Sequence, residues 1–93
     1  MLVVLKSAPG TLEGKRGVRL ARDLAADLVF VQDAVFYAQR DRLEGFCGMA
    51  YVLDEDRRMR GLPEGELEKA VKTVSYEGLV KLMEAEENVI GIF

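Results

Sequence analysis

MAYVLDEDRRMRGL, residues Met49–Leu62, inverts its polarity at a single residue. Met49-Ala50-Tyr51-Val52-Leu53 is a short apolar run, the pattern of a buried strand. Asp54 then suits a helix N-cap, and Glu55 and Asp56 place negative charge where the positive end of a helix dipole favours it. Arg57, Arg58 and Arg60 fall toward the far end, and Gly61 with Pro63 beyond it stops the helix. The segment predicts a strand, a sharp turn and a short helix. In an α/β sheet the carboxyl end of such a strand is where ligands bind, although a plain structural crossover satisfies the same pattern.

The alternation continues on both sides. Leu2-Val3-Val4-Leu5 is apolar throughout and predicts a central strand covered on both faces. Ser7–Gly17 contains Pro9, Gly10, Gly14 and Gly17 and predicts a loop. Its Gly10–Lys15 stretch, GTLEGK, fails as a phosphate loop: only three residues separate the glycines, and Arg16 stands where a magnesium-binding Ser or Thr belongs. The same glycines are wrongly spaced for a dinucleotide site. Val18–Ala25 has Val18, Ala21, Leu24 and Ala25 at helical spacing, and Lys15, Arg16, Arg19 and Arg22 form a solvated basic face able to meet an anion. Asp27–Gln32 predicts the second strand. Ala34-Val35-Phe36-Tyr37-Ala38 then runs apolar on all sides, so a helix there must be covered by more than the sheet.

After a polar loop over Gln39–Gly45 and the central strand, Leu62–Glu68 predicts another loop. Ala70–Val74 alternates like a near-edge strand. Ser75 caps a helix whose Tyr76, Leu79, Val80 and Met83 recur at i, i+3, i+4, i+7 and predict its core-facing stripe. Val89–Phe93 is the last strand. Strand and helix alternate from end to end, with connections long enough for parallel βαβ units. The fold expected is therefore an α/β three-layer sandwich around a mostly parallel five-stranded sheet, flavodoxin-like, in the order 2-1-3-4-5.

Ninety-three residues make one domain over 1–93, and a chain this short buries only about 60–65% of its unfolded surface. With 49% hydrophobic residues, some apolar surface is expected to be covered by a partner. A net charge of −3 argues against direct nucleic-acid binding, which needs clustered Lys and Arg. Cys47 is the single cysteine and histidine is absent, so neither an intrachain disulfide nor a zinc site of the usual spacing is expected, and no cofactor is implied. Leu2–Leu5 is too short for a signal or a membrane span and Lys6 closes it, so a soluble cytoplasmic protein is expected.

Four stretches resemble the TusB/DsrH group of sulfur-relay subunits. Lys6-Ser7-Ala8-Pro9 is similar to the family's Lys/Arg-Ser-Pro with one residue inserted. Gln32-Asp33-Ala34-Val35-Phe36-Tyr37-Ala38 resembles its Gln/Glu-Asp-Gly-Val-Tyr-Ala-Ala, with Ala34 in place of the glycine. Tyr51-Val52-Leu53-Asp54-Glu55-Asp56 with Arg60-Gly61-Leu62 resembles Tyr-Ala-Leu-Asn-Glu-Asp and Ala-Arg-Gly-Leu. Ser75-Tyr76-Glu77-Gly78-Leu79-Val80-Lys81-Leu82 resembles Asp-Tyr-Thr-Gly-Phe-Val-x-Leu. The resemblance implies a DsrE-like fold and a hetero-oligomer with sister subunits that passes persulfide sulfur between cysteines. The sulfur goes either toward 2-thiolation of the tRNA wobble uridine or into dissimilatory sulfur metabolism. It also implies that the carrier subunit's active cysteine corresponds to Leu53 here. The cysteine some members carry in the first helix is missing from Val18–Ala25, and Phe93 ends the chain where a tryptophan is common.

Three functions follow as expectations: a non-catalytic structural subunit of a sulfurtransferase complex, a persulfide carrier using Cys47, or a stand-alone homo-oligomeric binding module. Cys47 precedes the central strand among apolar neighbours and is expected to be a small core hydrophobe at the sheet's amino-terminal end. A thiol at position 53 would instead sit at a helix N-terminus, where its pKa is expected to fall. Asp33 and Asp54 end strands on the same rim and form a candidate carboxylate pair for acid–base or metal chemistry, with helix capping as the simpler role for each. Val35, Phe36 and Tyr37 project about 100° apart on a helix, so at least one must leave the domain's own core. These three are the expected subunit contact, made with sister DsrE-like subunits or with another copy of the chain.

Overall fold

The computed structural model describes residues 1–40, 42–43 and 46–92. Asp41, Glu44 and Gly45 of the expected loop, and Phe93 at the end of the last expected strand, lie outside the described residues. The strands are β1 (Leu2–Leu5), β2 (Asp27–Phe30), β3 (Ala50–Leu53), β4 (Val71–Val74) and β5 (Val89–Ile92). They form one parallel sheet in the order β4-β3-β2-β1-β5, with Val3 opposite Leu28 and Ile90, and Tyr51 opposite Val29 and Lys72.

Helices cover both faces. On one lie α1 (Leu12–Asp23) and a 3₁₀ helix (Gln32–Ala38), whose residues share a core with Val3, Leu5, Leu28 and Phe30. On the other lies α3 (Tyr76–Ala85), with Leu79 and Leu82 packed on Leu2, Val4, Val29 and Leu53. The short α2 (Asp54–Met59) follows β3 and packs on the 3₁₀ helix. The expected three-layer α/β architecture is thus present, and β1 is an interior strand, between β2 and β5, and buried along its length as its sequence requires.

The strand order differs from 2-1-3-4-5. β2 lies between β1 and β3, where the expected order put β1 between β2 and β3, because of where Ala34, Val35, Tyr37 and Ala38 pack. They join the core under α1, and a right-handed crossover that stays on one face carries the chain onward in one direction. Placing β3 beyond β1 would require that connection on the opposite face. Among the described residues only α3 crosses there, and it returns the chain to the free side of β1.

The first helix starts earlier than its glycines suggest. Thr11 caps it, accepting from the Gly14 amide at 3.1 Å while its hydroxyl donates to the Ala8 carbonyl at 2.6 Å. A Cβ on Gly14 would stand 2.5 Å from the Ala8 oxygen and 2.8 Å from the Tyr37 hydroxyl. Gly14 therefore marks a close approach of helix, loop and 3₁₀ segment rather than a turn.

The Ala34–Ala38 segment is a 3₁₀ helix that begins at Gln32. With three residues per turn, positions 33, 36 and 39 share one edge and the other two edges face inward. Ala34, Val35, Tyr37 and Ala38 are accordingly buried, and Phe36 is half-buried beside exposed Asp33. The Tyr37 ring stacks on Phe30 at 5.6 Å between centroids.

On α3 the stripe expected to face the core divides. Ser75 caps the helix, accepting from the Gly78 amide at 3.1 Å. Leu79 is buried, yet Tyr76, Val80 and Met83 are 60%, 50% and 40% exposed. The helix rests on its Leu79–Leu82 edge, and its apolar arc is wider than its contact with the sheet.

Candidate functional site

The carboxyl ends of β2 and β3 carry a dense ionic network. β2 leaves the sheet through Gln32, a non-glycine residue at φ +48°. A side chain there costs of order 1 kcal/mol or more unless its surroundings hold it. The hold is Asp56, whose Oδ2 accepts from the Gln32 amide at 2.7 Å. Asp56 is itself buried, as is Arg57, which ties the start of the 3₁₀ helix to α2.

Asp54 is the first residue of α2 rather than its cap. Leu53 occupies the cap position and provides no side-chain bond, so the carboxylate is turned to arginines instead. Arg57 donates to Asp54 Oδ1 from Nε at 3.0 Å and from Nη2 at 2.6 Å, and Arg58 pairs with Asp54 Oδ2. Arg57 also donates to the Leu62 carbonyl at 2.8 Å, which fastens the turn after α2. Gly61, at φ +67°, makes that turn. The hydrogen bond from Arg57 holds the Asp54 carboxyl below its ordinary range, against a smaller opposing effect of burial. A carboxylate so held stays ionised and serves poorly as a general acid.

Asp33 lies inside the 3₁₀ helix and accepts from Arg60 Nε at 3.0 Å. The two candidate carboxylates therefore engage different arginines and do not form a shared acid–base pair. Among the described residues no grouping of His, Cys, Asp and Glu has the arrangement to hold a metal ion. Glu55 Oε2 is buried with no hydrogen-bond partner among the described residues. The rim thus keeps an acceptor whose burial is costly until a donor reaches it. No pattern in the sequence signals that atom.

Leu53, the position of interest at the end of β3, is 1% exposed and points into the apolar cluster under α3. That changes the expectation for a thiol there. Burial among Leu2, Val4, Val29 and Leu79 opposes the thiolate, and α2 has only six residues with three acids in its first turn. Leu53→Cys is expected to give a slowly alkylated thiol with a pKa above the ~8.5 of free cysteine. Thiolate absorbance against pH checks this, and a value below that of free cysteine would show that the helix end dominates.

Cys47 stands before β3, at the opposite end of the sheet from the ionic network, as its sequence position requires. It is exposed, however, and not a core residue. The reason is local: its neighbours Gly48 and Met49 are exposed as well, because the segment approaches the sheet from outside. Cys47 lines a cavity of about 300 Å³ with Ala21, Arg22, Ala25, Ala26 and Phe46. Of Val35, Phe36 and Tyr37, the first and last belong to the domain's own core, and Phe36 is the one that reaches the surface. Among the described residues no helix is long and apolar enough to cross a membrane.

The family model for DsrH-like proteins matches residues 15–89. The fold is also that of two solved structures. The ychN protein of E. coli, known from a crystal structure, superposes with a TM-score of 0.81 at 18% identity, covering 97% of each chain. The Tm0979 protein of Thermotoga maritima, solved in solution by NMR, gives a TM-score of 0.69 at 28% identity over 95% of this chain and 97% of its own. No curated protein matches the sequence.

Proposed function

The chain belongs to the DsrH-like family and is a sulfur-relay-related protein of DsrE-like fold, and from that premise we propose that it is a non-catalytic structural subunit of a persulfide sulfurtransferase complex. Its sister subunits pass the sulfur, and the complex serves 2-thiolation of the tRNA wobble uridine. One observation carries the reading: the rim position at the end of β3, where the carrier subunit of such complexes keeps its thiol, holds Leu53, turned into the core. The rim offers arginine-paired carboxylates instead of a nucleophile. Phe36, on the outer edge of the 3₁₀ helix, contributes to the contact with a sister subunit, since aromatic anchors are enriched at interface centres. Co-purification from the native host, with identification of the bound chains, tests the assembly. Recovery of the chain with no DsrE-like sister would overturn it.

A second reading, Cys47 as a persulfide carrier, is favoured by the exposure of that thiol. Cys47→Ser separates the two. In the reconstituted relay a structural subunit keeps its rate within about twofold, roughly 0.4 kcal/mol of barrier. A loss equal to that from removing the sister subunit's active cysteine would make Cys47 the carrier.

A further inference from the structure

Tyr76, Val80 and Met83 follow one another at i, i+4 and i+7, so they form one line along the outside of α3. The line is flanked by acid: Glu77 and Glu84 stand beside it with Lys81, and Glu87 follows past the helix end, while Glu86 is taken up by the Met1 amine at 3.0 Å. On the opposite face of the sheet α1 has the reverse character, with Lys15, Arg16, Arg19 and Arg22 against Glu13 and Asp23. Its outward line repeats the spacing with Leu12, Arg16 and Arg19. Leu12 is 57% exposed, and the Arg19 side chain projects almost fully into solvent, with only the exposed Asp23 carboxylate near it, 4.0 Å from its Nε, among the described residues.

We infer that the outward line of α3 docks on the outward line of α1 in a second copy of this chain. Arginine suits this partner doubly. Its guanidinium stacks on a tyrosine face and its aliphatic stem covers apolar surface, so Arg16 and Arg19 answer both the Tyr76–Val80–Met83 line and the glutamates beside it. Leu12 supplies the apolar contact between them. The alternative, α3 against α3 about a two-fold axis, brings like acidic flanks together and is disfavoured. Because α1 and α3 lie on opposite faces, every copy offers one donor and one acceptor surface. The contact is head to tail and builds a closed ring or a stack rather than a simple dimer. It requires neither a thiol nor a sister subunit, and so stands apart from the sulfur-relay reading.

Sedimentation velocity on the full chain tests it. The wild type is expected to assemble beyond a dimer as concentration rises, and less so in high salt. Val80→Asp and Arg19→Glu, both at exposed positions, should each stay folded by circular dichroism and weaken association about 30-fold or more. Mixing the two variants is decisive. Val80→Asp keeps a working α1 and Arg19→Glu keeps a working α3, so together they should form dimers with one contact and nothing larger. A wild type that stays monomeric up to roughly 1 mM, beyond which contacts are negligible, overturns the inference. So does assembly indifferent to Arg19→Glu, or a mixture that yields no dimer.

Discussion

Tyr37→Asp is expected to unfold the domain, whereas Phe36→Asp is expected to leave it folded and to weaken the proposed association with a sister subunit. The two positions are adjacent and both aromatic, so composition and local propensity cannot separate them. The 3₁₀ geometry does, by turning Tyr37 inward against Phe30 and Phe36 to the outer edge. Loss of a buried aromatic side chain alone costs ~3–5 kcal/mol. A carboxylate left in its place, among the apolar residues of the α1 core, adds several kcal/mol unless it takes up a proton. Together these approach or exceed the roughly 5–15 kcal/mol that holds a domain of this kind. At Phe36 the substituted carboxylate remains in contact with water, and the change is expected to cost about 1–2 kcal/mol of stability. Circular dichroism with sedimentation of both variants, alone and with sister subunits, checks the pair. Two folded variants that both assemble would place the subunit contact away from this helix.

Much of this fold is legible in the chain, and the failures have definite causes. Leu2–Leu5 and Met49–Leu53 announce buried strands, because a parallel sheet covered on both faces needs unbroken apolar runs. Gly14 misleads, since a glycine needed for close packing looks in sequence like one needed for a turn. Its partners, Ala8 and Tyr37, come from elements whose placement is known only after folding. The strand order is out of reach for a similar reason: it depends on which face the Ala34–Ala38 run takes, and an all-apolar run carries no sign of its face. The Tyr76–Met83 periodicity correctly predicts a helix but not its rotation about its own axis. At the rim, Asp54 has the residue type and place of a cap, yet competing arginines three and four residues on claim its carboxylate. Cys47 looks like a core residue by its neighbours' apolarity, and only the path of the chain into β3 brings it to the surface.

Asp54→Ala should destabilise the protein by about 3 kcal/mol at neutral pH, the cost typical of breaking a buried ion pair from one side. Asp54 is the chief partner of Arg57, whose side chain is 8% exposed. Without it the guanidinium keeps, among the described residues, the Leu62 carbonyl and a more distant Glu64 at 3.6 Å. The pair at Asp33 and Arg60 makes the control. Asp33 is mostly exposed, so Asp33→Ala is expected to cost under about 1 kcal/mol. The pH dependence follows from the sign of the Asp54 shift. Its folded-state pKa lies below the unfolded one, owing first to the hydrogen bond from Arg57. The stability it contributes is therefore complete above the unfolded value of ~3.9 and is lost as pH falls through the folded value. Urea unfolding of wild type and Asp54→Ala at pH 7 should show the full difference. Repeated at steps below pH 4, the two curves should converge, because the wild-type carboxylate then takes up the proton that silences its bond to Arg57. A gap that stays constant to the lowest pH at which the protein folds would mean that Asp54 acts through packing rather than through its charge. A gap under about 1 kcal/mol at pH 7 would place the pair among weak surface bridges, and the anchoring of α2 would then rest on Asp56 and the Gln32 amide.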